Sequence, residues 1–284
     1  MYQNLAELQA LCTEKPLWQV ILEGECALSD LSEQEVFEKM EQRLQVMESS
    51  VEKALDTPLE MPLGLISGIA SRQHTYAKQD NTLSGRVVNR AMAYALSCSE
   101  VNAAMGKICA APTAGACGVL PGVLFAVAQE RELTRDSLVK ALITAGGVGA
   151  VIMQNATVSG AEGGCQAECG TAASMAAAAV VELVGGAPSQ SLAAAAHTLI
   201  HSMGLVCDPI AGLVQVPCAQ RNASQAVNAL LSADLALAGL TSPVPPDEVV
   251  EAMYRVGRLL PCELRETSHG GLAVTPTGES LRQT

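Results

Sequence analysis

The chemistry of this chain concentrates in its thiols and in a few loops where glycine, polar residues and cysteine occur together. Ten cysteines fall among 284 residues. Reducing compartments disfavour disulfides, so these thiols are either core residues or ligands. Residues 155–170 (NATVSGAEGGCQAECG) carry Cys165 and Cys169 and crowd Asn155, Thr157, Ser159, Glu162 and Glu168 around Gly160, Gly163 and Gly164. Such polar density between two apolar stretches is costly if buried without partners, which marks a site. Residues 204–212 (GLVCDPIAG) and 214–222 (VQVPCAQRN) place Cys207 and Cys218 on short loops with a proline close by. A thiolate ligand needs a rigid, dry loop with N–H donors near the sulfur, and both loops suit it. By spacing alone the pattern is weak, with no C-x-x-C and no zinc-ribbon arrangement. Three distant cysteines can still hold one [4Fe–4S] cluster and leave the fourth iron open as a Lewis acid. Plain buried thiols explain the spacing better.

A further loop, residues 110–122 (AAPTAGACGVLPG), runs through Thr113, Ala114 and Gly115 into a helix near Val119. The first N–H groups of a helix attract carboxylates. A tight helix–helix turn accounts for the same residues slightly better. His74 lies in the polar, turn-rich run 72–85 (RQHTYAKQDNTLSG) and is the best histidine for a base, with Lys107 a weaker candidate. His197 and His201 stand four apart on one helix face. No third ligand and no H-E-x-x-H accompanies them, so they read as structural.

The elements that must position these loops are helices. Apolar residues make up 49% of the chain and aromatic ones 2%, so Ala, Val, Leu, Ile and Met fill the core and helices can approach closely. Ser32 followed by Glu35 is a capping-box signature. Val36, Met40, Leu44, Met47, Val51 and Leu55 then recur as one apolar stripe of a long helix. Beyond Gly64 charge thins and Gly and Ala multiply. Helices are expected over 86–107, 118–131, 134–154, 164–184, 190–203, 224–240 and 246–259. Residues 213–216 are the best short strand candidate. The fold class is therefore all-α, with buried Ala-rich helices joined by Gly-rich loops. An N-terminal helical region (1–60) is expected to pack on one large domain (61–284), with a disordered tail over 278–284.

The net charge of −12 argues against nucleic acid and against an anionic membrane surface as partners. Residues 1–30 lack the basic and then apolar pattern of a signal peptide. The apolar stretches 170–185 and 192–206 are Ala-rich, short, and interrupted by Glu182 or by His197 and His201. A soluble, cytoplasmic protein is expected.

Taken in order, HTYAKQDNTLSG, AAPTAGACGVLPG, SGAEGGCQAECG, CDPIAGLVQVPCAQRN and GGLAVTPTG resemble the iron–sulfur L-serine dehydratases, from Leu63 to Gly278. In that family, cysteines matching Cys165, Cys207 and Cys218 ligate a [4Fe–4S] cluster with one open iron. The resemblance implies a lyase converting L-serine to pyruvate and ammonia. The open iron would take the hydroxyl and a base would remove the Cα proton. Thr113, Ala114, Gly115, Asn155 and Ser159 are expected to hold the substrate, with His74, Lys107 or a group from another chain as base. Arg221 either binds a carboxylate or balances the charge of the cluster. Cys169, Cys98, Cys109, Cys117 and Cys262 are expected to be structural.

Some members are single chains whose N-terminal domain bears a Ser-Ser-His-Thr loop and a further histidine assigned to catalysis. Nothing here matches that domain, so the likeness is to the α subunit of the two-chain form, which works with a β subunit in an oligomer. Some single-chain members also end in a cysteine that reaches the open iron. This sequence reads Arg282-Gln283-Thr284, so no such ligand is expected. An iron–sulfur L-cysteine desulfidase shares the elimination logic, and a cluster-binding redox sensor is the non-enzymatic alternative. A pyridoxal-phosphate dehydratase is disfavoured by the few lysines and the weak strand signal.

Overall fold

A helix built from Ala, Ser, Thr, Met and Val offers no face to water, so other helices must surround it. The computed structural model describes residues 2–283 and contains such a helix. In chain order the α-helices are α1 (Leu5–Leu11), α2 (Leu17–Ser29), α3 (Glu33–Glu52), α4 (Ile69–Ala77), α5 (Arg86–Ala103), α6 (Val119–Arg131) and α7 (Arg135–Asn155). There follow the single turn α8 (Gly160–Gly163), α9 (Thr171–Leu183), α10 (Pro188–Ser202), α11 (Cys218–Leu237), α12 (Pro246–Leu259) and α13 (Pro276–Arg282). Among the described residues there is no strand, and the all-α expectation holds.

The apolar helix is α9. Every residue from Thr171 to Val181 is buried, and α6, α7, α10 and α11 pack around it. Two of its polar side chains find partners on neighbouring helices, while the buried Thr171 hydroxyl has none among the described residues. Ser174 Oγ donates to Ala195 O at 2.9 Å, and the Glu182 carboxylate accepts from Trp18 N (3.2 Å) and from the Thr144 hydroxyl. Beside this group α5 and α6 touch at backbone distance. A Cβ on Gly122 would stand 2.9 Å from Ala91 O and 3.0 Å from Ala95 N, so only glycine allows the approach. Helix α7 is apolar and long enough to cross a membrane by composition, but 67% of its most apolar window is buried against the rest of the protein. It is a core helix.

The N-terminal helices share this core: Leu5, Leu8, Leu17, Leu22, Leu44 and Met47 pack in one cluster with the α9 alanines. The Ser32–Glu35 capping box forms at the start of α3. Asp247, at the start of α12, accepts from Leu5 N (2.8 Å) and Ala6 N (2.9 Å) and so caps α1 from across the molecule.

Four expectations change. The first part of the polar run holding His74 is helical, because α4 spans 69–77. Its cap is remote: the fully buried Glu100 carboxylate on α5 accepts from Gly68 N (3.0 Å) and Ala70 N (2.8 Å). Residues 213–216 form no strand. Gln215 instead accepts from Leu65 N (2.9 Å) and donates to Pro62 O (2.6 Å), which ties that loop to the segment before α4. Helix α11 begins at Cys218 and not at 224. Residues 276–282 are helical, with the α13 start capped by Thr275; Thr284 lies outside the described residues.

Replacing Gly122 with valine forces α5 and α6 apart. The expected loss is about 3 kcal/mol, in the range for overpacked cores, and urea denaturation followed by circular dichroism measures it. An unchanged midpoint would contradict the close packing of these helices.

Candidate active site at the N-terminal end of the central helix

The residues before α9 form a π-helical turn, Gln166–Gly170, that runs directly into it. Cys165 immediately precedes that turn and is 4% exposed. Cys218 occupies the first position of α11, after the cis Val216–Pro217 peptide, so two of the three thiols sit at helix starts. Cys207 is held on the backbone instead. Its N–H donates to Leu264 O (2.8 Å) and its carbonyl accepts from Glu266 N (2.7 Å), which lays the segment before α13 against it.

The three thiols lie within electrostatic reach of one another. Burial pushes Cys207 well up, and pushes Cys218 up to about 12. Cys165 behaves oppositely: a hydrogen bond from the Cys169 thiol, and then Arg221, hold it below the ordinary thiol value despite burial. Cys169 is correspondingly pushed up by that bond and by burial. Burial opposes the charge of Arg221, but Cys165, Asp208 and Cys218 outweigh it and raise its pKa. Arg221 Nη1 donates to Val206 O (2.6 Å), and Nη2 pairs with Asp208 Oδ1 (2.8 Å), which is 3% exposed. The guanidinium therefore clamps the Cys207 loop onto the helix that carries Cys218. Asp208 Oδ2 in turn accepts from Leu272 N (2.7 Å).

The loop over residues 110–118 joins the same place. Asn222, one turn after Cys218, donates to Gly115 O (2.7 Å) and accepts from Gly118 N (2.9 Å). Thr113 Oγ1 donates to Glu168 Oε1 at 2.5 Å. Burial raises the pKa of Glu168, against the Thr113 bond and with help from Glu266. A Cβ on Gly115 would meet Glu168 Oε1 at 2.6 Å. A Cβ on Gly160 would lie 3.1 Å from Glu168 Oε2, 3.2 Å from Cys207 Sγ and 3.4 Å from Glu266 Oε2. The glycines keep this space open.

Of the residues expected at a site, the structure brings together Cys165, Cys207, Cys218, Thr113 and Gly115, with Ala114 between the last two and Ser159 beside Gly160. Ala114 O accepts from Asn102 Nδ2 (3.2 Å). Asn155 is placed elsewhere: its amide donates to Gln3 O (2.8 Å) and Val151 O (2.9 Å) at the exposed end of α7. His74 sits on α4 with a buried Nδ1 that has no partner; burial and Lys78 lower its pKa against the pull of Asp56. Lys107 is exposed. His197 and His201 stack at 6.4 Å, and their ring nitrogens meet Leu240 O and Asn228 Oδ1. Two acids were not singled out from the sequence, Glu168 and Glu266. The polar density around Gly160 was the only signal for the first.

Three thiols brought together on separate loops are a soft donor set, of the chemistry that an iron–sulfur cluster takes. Thiols held protonated by burial are also the donors that a cationic metal deprotonates on binding.

The fold and site define an all-α protein whose loops bring three thiols together, two of them at helix starts. Comparison with known proteins narrows this. The family model for the serine dehydratase alpha chain matches residues 13–273. Over its full length the chain is 47% identical to a probable L-serine dehydratase alpha chain of Bacillus subtilis (strain 168), covering 95% of that protein. It is 46% identical to the L-serine dehydratase alpha chain of Peptoniphilus asaccharolyticus, covering 98%. Against L-serine dehydratase 2 of Escherichia coli (strain K12) it is 39% identical over 96% of this chain and 61% of that protein. The chain belongs to the serine dehydratase alpha chain family, as its ordered motifs implied.

Removing the Arg221 charge, as in Arg221→Met, strands the buried Asp208 carboxylate. Breaking one side of a buried pair costs about 3 kcal/mol or more. Urea denaturation of the metal-free chain should show that loss; stability equal to the wild type would mean that the clamp contributes nothing.

Proposed function

We propose that this chain is the catalytic α subunit of a two-chain L-serine dehydratase, a cytoplasmic lyase that converts L-serine to pyruvate and ammonia. The observation that carries the reading is the convergence of Cys165, Cys207 and Cys218 at the N-terminal end of α9, in a chain whose full-length relatives are named L-serine dehydratase alpha chains. These three cysteines would hold a [4Fe–4S] cluster. When bound, the cluster supplies an open iron as a Lewis acid for the departing hydroxyl.

The chain's own residues do the remaining work. Arg221 balances negative charge beside Cys165 and keeps the Cys207 loop in register with Cys218. Asn222 fixes the 113–115 segment against the thiols, so backbone groups and the Thr113 hydroxyl are available to orient a small substrate. The glycines at 115 and 160 leave room for it. Loss of water from serine gives aminoacrylate, whose imine tautomer takes water back and releases ammonia and pyruvate. Among the described residues no hydrogen bond or ion pair links His74 or Lys107 to the thiols, which favours a base supplied by the β subunit. Relatives named alpha chains, covered to 95% and 98% of their own length, support such a second chain.

Anaerobic reconstitution with iron and sulfide tests the reading. Absorption and EPR spectra should show a cluster in the wild type and lose it in Cys165→Ser, Cys207→Ser and Cys218→Ser. Pyruvate should form from L-serine once the β subunit is added. A cluster without serine turnover would point to a desulfidase or a redox sensor; no cluster would remove the proposal.

A further inference from the structure

Asp208 is paired with Arg221, but among the described residues no Lys, Arg or His forms an ion pair with Glu168 or Glu266. Glu168 Oε2, Glu266 Oε2 and Cys207 Sγ all lie within 3.4 Å of the single point where a Cβ of Gly160 would sit. They form an anionic notch floored by a glycine. Glu168 is half-buried, while every residue beside it from Gly163 to Gly170 is buried. Thr113 satisfies Oε1 and leaves Oε2 pointing into the notch. Arg221, the guanidinium acting on the thiols, has both terminal nitrogens committed to Val206 O and Asp208. The charged group acting on Glu168 is a second carboxylate, that of Glu266. Two carboxylates sharing one space destabilise each other unless a cation stands between them.

On the reading of the site as a serine site, we infer that Glu168, assisted by Glu266, receives the α-ammonium group of the substrate. The ammonium brings a positive charge and several N–H donors, which match two converging acceptor oxygens. This arrangement would select α-amino acids over hydroxy acids that carry the same hydroxyl and carboxylate. It is a substrate-positioning role and leaves removal of the Cα proton to another group.

Glu168→Gln deletes the charge while keeping the shape and an acceptor for Thr113. Glu266→Gln, at an exposed position, is the second variant. Both are examined in the two-chain enzyme with its cluster in place, matched for iron and sulfide content and for circular dichroism. For Glu168→Gln, KM for L-serine should rise about ten-fold or more, the loss expected for a charge-assisted hydrogen bond, with kcat moving far less. Glu266→Gln should shift KM the same way by about three-fold, since solvent screens an exposed charge. The calorimetric Kd of 3-hydroxypropanoate, which keeps the hydroxyl and carboxylate but lacks the amine, should stay within about two-fold of the wild type in both variants. Equal weakening of serine and 3-hydroxypropanoate would overturn the inference and make Glu168 a structural residue. So would a KM unmoved by Glu168→Gln. A wild-type enzyme that turns over no L-serine would instead sink the serine reading, and this inference with it.

Discussion

The structure depends on the absence of any water-facing side in α9. A helix whose residues are buried from Thr171 to Val181 has to be enclosed, and α6, α7, α10 and α11 enclose it. The chain order of those helices then decides where the loops fall. The connection into α6, the one from α7 to α9 and the one from α10 to α11 all lie at the end where α9 begins. These are the segments that carry Thr113, Cys165, Cys207 and Cys218. Assembly of the site is therefore a consequence of wrapping one apolar helix. No long-range pairing of strands is needed to bring the thiols together.

Loops without a sheet must still satisfy their backbone groups. Here single buried side chains do so across large separations. Glu100 caps α4, Gln215 bridges the segment before α4, Asn222 pins the 115–118 backbone, and Asp208 holds Leu272. Gln166 works in the same way, accepting from Gly204 N and donating to Met253 O. Each of these groups is costly to bury alone and favourable once paired, so each fixes one loop against one helix. The rigidity that a ligand set requires comes from these bonds. The central alanines supply close packing but little directional information.

This division explains which parts of the molecule were legible in the sequence. Periodicity and capping are local, so α3, α6, α7 and α12 fall close to their expected bounds and the Ser32–Glu35 box forms. The start of α4 was hidden because its cap, Glu100, lies far along the chain. Gln215 gave a false strand signal because its role is to bind a distant loop. Asn155 looked like a site residue from its polar neighbourhood, yet its amide serves Gln3 and the end of its own helix. Glu168 was noted only as part of that polar loop, with no role, for the opposite reason: Thr113, Gly115, Gly160 and Glu266 surround it only after folding. The cysteine trio has no local spacing to betray it, and only the ordered resemblance of whole segments singled it out.

The electrostatics of the trio bear on how the site is filled. Burial holds the Cys207 and Cys218 thiols protonated, so in the absence of metal they behave as small apolar side chains and let the loops pack without like-charge repulsion. Arg221 cannot offset three thiolates while it is paired with Asp208. On the proposed reading a metal centre must therefore displace those protons as it binds, and the loss of protons and the gain of metal would be one coupled event. Cys165 differs, because Cys169 donates to its sulfur and Arg221 stands beside it. Of the three, it is the thiol that gives up its proton most readily. It also directly precedes the π-helical turn that leads into the helix around which the whole chain is folded.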